Sequence, residues 1–246
     1  MVSKELPIKA PDEVEKLADG LNHTYCADLS RPLTLPIPIE DIAEHYLGYS
    51  IDFVDDGLFS DPEILGGIDF EENKIYVNAS VEDHDGRYCF TIAHEIGHHV
   101  LHRDAYLENS DDGEREILCR DSRNKPQIEL EADRFSAALL MPSEAVQKVI
   151  RNINSKRRVT TIRQARGLAS NVIKEGKFDN VSNTAMVNRL IDLQIISNSI
   201  GYEAGVYSKY KRRPILSLLF SRILAKLRLT KRGLKPLKAK HLGNKW

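Results

Sequence analysis

A chain of 246 residues, 41% of them hydrophobic, has room for one large domain, or one domain with a small appendage, around a sizeable core. Its three widely spaced cysteines, Cys26, Cys89 and Cys119, exclude a disulfide framework and a Cys-x-x-Cys metal site and suit a reducing compartment. The net charge of -1 hides an asymmetry: residues 208–246 hold 13 of the 35 Lys and Arg and no acid, leaving 22 basic against 36 acidic residues in the body.

Met1-Val2-Ser3-Lys4-Glu5 begins no apolar run, so no secretion signal is expected. No uncharged apolar stretch reaches the roughly 18 residues of a membrane span, and the expected location is cytoplasmic. Residues 11–25 read as an amphipathic helix, with Pro11 suited to its first turn and acidic residues behind it facing the positive end of the helix dipole. A link with Pro32, Pro36 and Pro38 follows, then a shorter helix from Ile39 to Tyr46. His23 and His45 are single histidines without partners in sequence and read as surface or core residues. Tyr49 to Val54 has strand character. Gly66 to Phe70 and Lys74 to Asn78 read as a hairpin turning at Glu71-Glu72-Asn73, giving a small antiparallel sheet. A free edge of such a sheet can hold an extended peptide by strand addition.

The next stretch, Thr91-Ile92-Ala93-His94-Glu95-Ile96-Gly97-His98-His99, contains His-Glu-x-x-His. No Pro interrupts Gly86 to Arg103, and Tyr88, Phe90, Ile92, Ala93, Ile96, Val100 and Leu101 supply apolar positions, so the segment is predicted to be helical. On a helix, residues four apart lie about 40° apart, so His94 and His98 project from one face and can share a metal. Glu95, about 100° round, can reach a water whose pKa the metal lowers, and take its proton. That combination is metal-assisted hydrolysis, most often of a peptide bond. A shuffled chain of this composition carries the motif roughly 2% of the time.

Asp104 to Lys125 is polar and is expected to be a surface loop with a short helical piece; Cys119 lies in it, more simply a spectator than a metal ligand. Glu129 to Leu140 then reads as a helix ending at Met141-Pro142. A hydrolytic zinc keeps three protein ligands and one open position, so one ligand beyond the two histidines is needed. Glu129 and Asp133 share a face. Glu129 is the candidate ligand, and Asp133 the acceptor for the far nitrogen of a ligand histidine. Glu131 remains a rival ligand, and about one Glu-x-x-x-Asp pair is expected by chance.

His94 to His102 followed by Glu-x-Glu-Ala-Asp-x-Phe-x-Ala-x-Leu-Leu-Met-Pro from Glu129 to Pro142 resembles the ImmA/IrrE family of metallo-endopeptidases. Gly67-Ile68, Ile75-Tyr76-Val77-Asn78, Phe90-Thr91-Ile92-Ala93, Val181-Ser182 and Asn188-Arg189-Leu190 fit the same pattern, so the resemblance covers about residues 10–200. It implies an α+β, zincin-like catalytic core, related to thermolysin in its Glu-type third ligand, and cleavage of an intracellular regulator, often a DNA-binding repressor. Carried over by position, His94, His98 and Glu129 bind Zn2+ and Glu95 is the general base. Asp133 stands where many relatives have Asn. The resemblance also permits a component of a toxin–antitoxin pair. The oxyanion-stabilising group is open among Tyr76, His99 and His102.

From Ser143 the chain reads as helical to about residue 196, with a loop near Gly176 to Ser182. Residues 145–174 carry eight basic side chains, Lys148, Arg151, Lys156, Arg157, Arg158, Arg163, Arg166 and Lys174, and no acid, and Leu168 to Ile195 has a faint helix-turn-helix look; a helical lobe beside the cleft is the simpler reading. Ile215 to Leu229 forms a basic amphipathic pattern suited to an anionic surface, a nucleic acid or a partner groove. The expected organisation is a catalytic domain at 1–156, a helical lobe at 157–206 and a basic tail at 207–246. The rival reading is a zinc-containing binding protein without catalysis, gripping a regulator or nucleic acid through its basic segments.

Overall fold

The computed structural model describes residues 8–54, 65–108, 125–153, 159–197 and 199–200. Cys119, the tail at 207–246 and the boundary at 156/157 lie outside the described residues.

Helix α1, Pro11–Asp28, starts on a proline, whose missing N–H costs nothing at a helix start, with Asp12 and Glu13 in its first turn. Val14, Ala18, Leu21 and Tyr25 recur at helical spacing and are buried, which presses one stripe of α1 into the core. A single turn, α2 (Ile39–Asp41), widens directly into a π-turn at Ile42–Tyr46. The chain then enters strand β1, Ser50–Val54, followed by β2, Gly66–Asp69, and β3, Lys74–Asn78.

The hairpin forms as the sequence predicts, with Gly67 opposite Tyr76 and Ile68 opposite Ile75. Asp69 accepts the backbone N–H groups of Glu71 and Glu72 in the turn. The sheet is not purely antiparallel, however. β1 pairs with β3 in parallel, Ile51 opposite Ile75, giving the mixed order β1-β3-β2. The hairpin uses one edge of β3, and β1 pairs along the other. Ile75 and Val77 alternate inward from β3 and are fully buried.

Helix α3, Asp85–Glu108, runs under this sheet. It continues through Asp104–Glu108, where the polar composition suggests a loop. The aromatic Tyr106 explains the extra turn: its ring packs edge-on against Phe70 of the hairpin, 5.1 Å between centroids. From Thr91 to His98 every residue of α3 is buried, so this is the central helix of the molecule. Helix α4, Lys125–Leu140, packs against both α3 and α1. Gly97 permits the α3–α4 approach: a Cβ there would sit 3.2 Å from Ala132 Cα and 3.3 Å from both Ala132 O and Phe135 Cδ1.

Helices α5 (Ser143–Ile153), α6 (Ile162–Gly176) and α7 (Asn183–Asp192) complete the described chain. Thr161 and Gln164 form a reciprocal capping box at the start of α6, and Lys177 closes it in a left-handed conformation. These helices share one apolar cluster with α1, α3 and the sheet. Polar ties cross the same interface. Arg189 is buried and donates to Met141 O at 2.9 Å and to both Glu15 oxygens, one at 2.7 Å. Asn180 donates to Ile37 O at 2.9 Å. The architecture is mostly helical with one small three-stranded sheet, an α+β fold. Among the described residues no helix is long and apolar enough to cross a membrane.

Candidate metal centre

His94, His98 and His102 stand at intervals of four on α3 and stack along one of its faces. All three are buried, as are Glu95 beside them and Glu129 and Glu131 on α4. Burying this many ionisable groups is costly unless each finds a partner or a metal. The close α3–α4 contact at Gly97 brings the two sets together.

One ligand atom from each of His94, His98 and Glu129 lies within 4.8 Å of the others. His94 Nε2 and His98 Nε2 are 3.0 Å apart, and Glu129 reaches them at 3.2 Å and 3.6 Å. The far nitrogen of His94, Nδ1, meets Asp133 Oδ1 at 2.9 Å. Asp133 is thus placed where the sequence puts it, behind a histidine of the cluster. Glu131, two residues along α4 and about 200° round from Glu129, lies outside the three-residue cluster. It meets His102 Nε2 at 3.2 Å instead.

Burial and mutual contact shift each group of the cluster. Burial alone would push the Glu129 carboxyl up, but the adjacent His98 and His94 rings outweigh it and hold it at about 2. Burial pushes His98 down to about 4. His94 goes the other way: burial opposes a charge on it, yet hydrogen bonds to Asp133 and Glu129 raise its pKa well above the usual value. An ionised carboxylate, a neutral imidazole and a second imidazole favouring positive charge converge on one buried point. The donor set, two imidazole nitrogens and a carboxylate oxygen, suits a divalent transition metal, Zn2+ among them.

Glu95 sits next to this cluster and binds none of it. Its Oε2 is buried and has no hydrogen-bond partner among the described residues. Burial pushes its carboxyl up to about 8. A Cβ on Gly66, at the start of β2, would lie 3.2 Å from Glu95 Oε1 and 2.4 Å from Thr91 Cγ2, so the strand passes directly over the carboxyl.

The three candidates for oxyanion stabilisation are each engaged elsewhere. Tyr76 lies on the sheet face opposite Ile75 and Val77, and burial together with nearby acidic groups, led by Glu72, raises its hydroxyl to about 12. His99 Nδ1 is 2.7 Å from the Tyr49 hydroxyl. His102 Nδ1 faces His98 Nδ1 at 3.1 Å, so both of its nitrogens are occupied. Sequence reasoning missed the Tyr49–His99 contact, and nothing in the local pattern signals it. The His94, His98, His102 spacing was the available signal for the third histidine.

A His-Glu-x-x-His helix packed on a second helix that supplies a carboxylate, beneath a small mixed sheet, defines a zincin-like core. Residues 55–174, which include both segments of the site, match the family Peptidase_M78, described as an IrrE N-terminal-like domain. A search of curated proteins finds no match. The family is one of peptidases, which act on protein substrates.

Proposed function

We propose that this chain is a zinc-dependent endopeptidase cutting an intracellular regulatory protein, a DNA-binding repressor in kind. The observation that carries the reading is the buried convergence of His94, His98 and Glu129 within 4.8 Å, with the unpartnered Glu95 carboxyl beside it. His94, His98 and Glu129 hold the metal, and Asp133 fixes the His94 ring by accepting its Nδ1–H. When bound, zinc polarises the scissile carbonyl and lowers the pKa of a water towards about 7. Glu95 takes the proton of the attacking water and delivers it to the leaving amine. A positioned group of this kind contributes about 10²–10⁴ in rate.

An extended substrate fits along the outer side of β2, an edge strand of the sheet that passes over Glu95. The repressor-type substrate and a cytoplasmic setting rest on the family resemblance. In the same reading residues 1–156 carry the catalysis, 157–206 form the helical lobe, and the basic tail at 207–246 contacts nucleic acid or an anionic surface.

The test is metal content of the purified chain, wild type beside Glu129→Ala and Glu131→Ala. One zinc per chain is expected in wild type. Glu129→Ala loses it, and Glu131→Ala retains it with zinc in excess. A wild type that takes up no zinc under reducing conditions sinks the metallopeptidase reading in favour of a non-catalytic binding protein.

A further inference from the structure

The His94 ring is oriented by a carboxylate in direct contact, Asp133. The Nδ1 of His98 meets His102 Nδ1, at 3.1 Å, and behind His102 lies the buried Glu131. We propose that His102 and Glu131 are positioning residues for His98, forming a two-membered relay that fixes its tautomer for metal binding. The inference rests on reading His94, His98 and Glu129 as the metal site.

The argument is an accounting of protons, starting from the far end. Glu131 Oε1 accepts the backbone N–H of Lys9 at 2.9 Å. The geometry assigns the hydrogen in the 3.2 Å contact at Oε2 to His102 Nε2, with the carboxylate oxygen accepting. A neutral His102 with its proton on Nε2 presents a lone pair at Nδ1. The ring facing it across 3.1 Å therefore donates, and the proton of His98 sits on Nδ1. That leaves His98 Nε2 with its lone pair directed at His94 Nε2 and Glu129, where a metal ligand needs it.

Two anchors from the same helix, Asp133 directly and Glu131 through an imidazole, thus deliver two Nε2 lone pairs to one point. The second anchor is also tied to the N-terminal segment. Lys9 gives its backbone N–H to Glu131 and its ammonium to Leu101 O, at 3.0 Å, one residue before His102. Glu131, a rival for the third ligand on sequence grounds, acquires a role without entering the cluster. So does His102, a candidate for the oxyanion on the same grounds.

The test measures Zn2+ affinity of the full chain by competition with a chromophoric chelator, for wild type, His102→Leu and His102→Asn. Leucine keeps apolar bulk and offers no acceptor. Asparagine places a carbonyl oxygen near the position of Nδ1 and can accept the His98 proton. His102→Leu is expected to lose about 10–100-fold in affinity, and His102→Asn to recover most of that loss. Recovery by asparagine alone separates the hydrogen bond from packing. Equal affinity in wild type and His102→Leu, or equal losses in both folded variants, overturns the relay while leaving the metal site intact. No zinc in wild type overturns the metal reading and the relay with it. A second measurement needs no variant: nitrogen NMR of wild type labelled in histidine is expected to show the proton of His102 on Nε2 and that of His98 on Nδ1. A His102 protonated on Nδ1 overturns the proposal.

Discussion

The substitution Glu95→Gln tests the buried carboxyl in two independent ways. Glu95 is 2% exposed, its Oε2 has no partner among the described residues, and burial raises its pKa from 4.5 to about 8. A carboxyl whose folded pKa lies above its unfolded one stabilises the fold only while protonated. The contribution is complete below 4.5 and is lost as pH rises through about 8. At about 1.4 kcal/mol per unit, the loss in the metal-free protein is roughly 3 kcal/mol by pH 7 and approaches about 5 kcal/mol above pH 8. Glutamine has nearly the same shape and cannot ionise. Metal-free Glu95→Gln is therefore expected to gain on metal-free wild type steadily as pH rises. The assay is urea unfolding of chelator-treated protein at several values between pH 5 and 8, read as the difference between the two proteins. Other titrating groups contribute to both curves and largely cancel. Adding Zn2+ is expected to shrink the difference, since a cation beside the carboxyl favours its ionised form. In a cleavage assay the variant is expected to keep zinc and lose at least about 10² in rate. Parallel stability curves across this range would refute the buried, raised carboxyl, and cleavage at the wild-type rate would refute its role as general base.

Gly97→Ala is expected to destabilise the fold by about 1–3 kcal/mol, because the added methyl meets Ala132 backbone atoms that cannot turn aside. The helix-propensity gain of about 1 kcal/mol offsets part of this, and thermal unfolding decides the balance. A net gain in stability with zinc retained would show that the helices have room. Glu15→Ala leaves the buried Arg189 guanidinium without its carboxylate, and a loss of about 3 kcal/mol is expected by chemical denaturation. A change under about 0.5 kcal/mol would mean that solvent replaces the pair. Asp133→Ala removes the acceptor for His94 Nδ1 and is expected to weaken zinc binding about 10–100-fold with the fold intact by circular dichroism. Unchanged affinity would mean that packing alone orients the ring.

Local periodicity made helix α3 legible. His-Glu-x-x-His means something only at 3.6 residues per turn, and the apolar residues around it fix that period. The same holds for Glu129 and Asp133, which the helix places on one face, and for the hairpin, whose turn residues and alternation are adjacent in sequence. Pairings distant in sequence were not legible. β1 joins β3 in parallel because the hairpin leaves one edge of β3 open, and no pattern inside Ser50–Val54 announces that direction. The last turn of α3 looks like a loop by composition. It is helical, and its Tyr106 packs on Phe70 from a segment far apart in sequence.

The choice between Glu129 and Glu131 shows where spacing stops and packing begins. Both carboxylates lie on α4, and both belong to the motif that carries the family resemblance. Their separation of two residues sends them to opposite sides of the helix, so no single point on α3 can receive both. What decides their fates is the register at which α4 crosses α3, set by the Gly97 contact with Ala132 and Phe135. That register puts Glu129 level with His94 and His98, and Glu131 level with His102 one turn further on. One glycine, three histidines on a face and two acids at alternate positions then assign every group. Glu129 converges with the histidines at the cluster, and Glu131 backs the ring that backs His98. Shifting that register, as Gly97→Ala is expected to do, should disturb both carboxylates together, which links the stability of the helix contact to the affinity of the metal site.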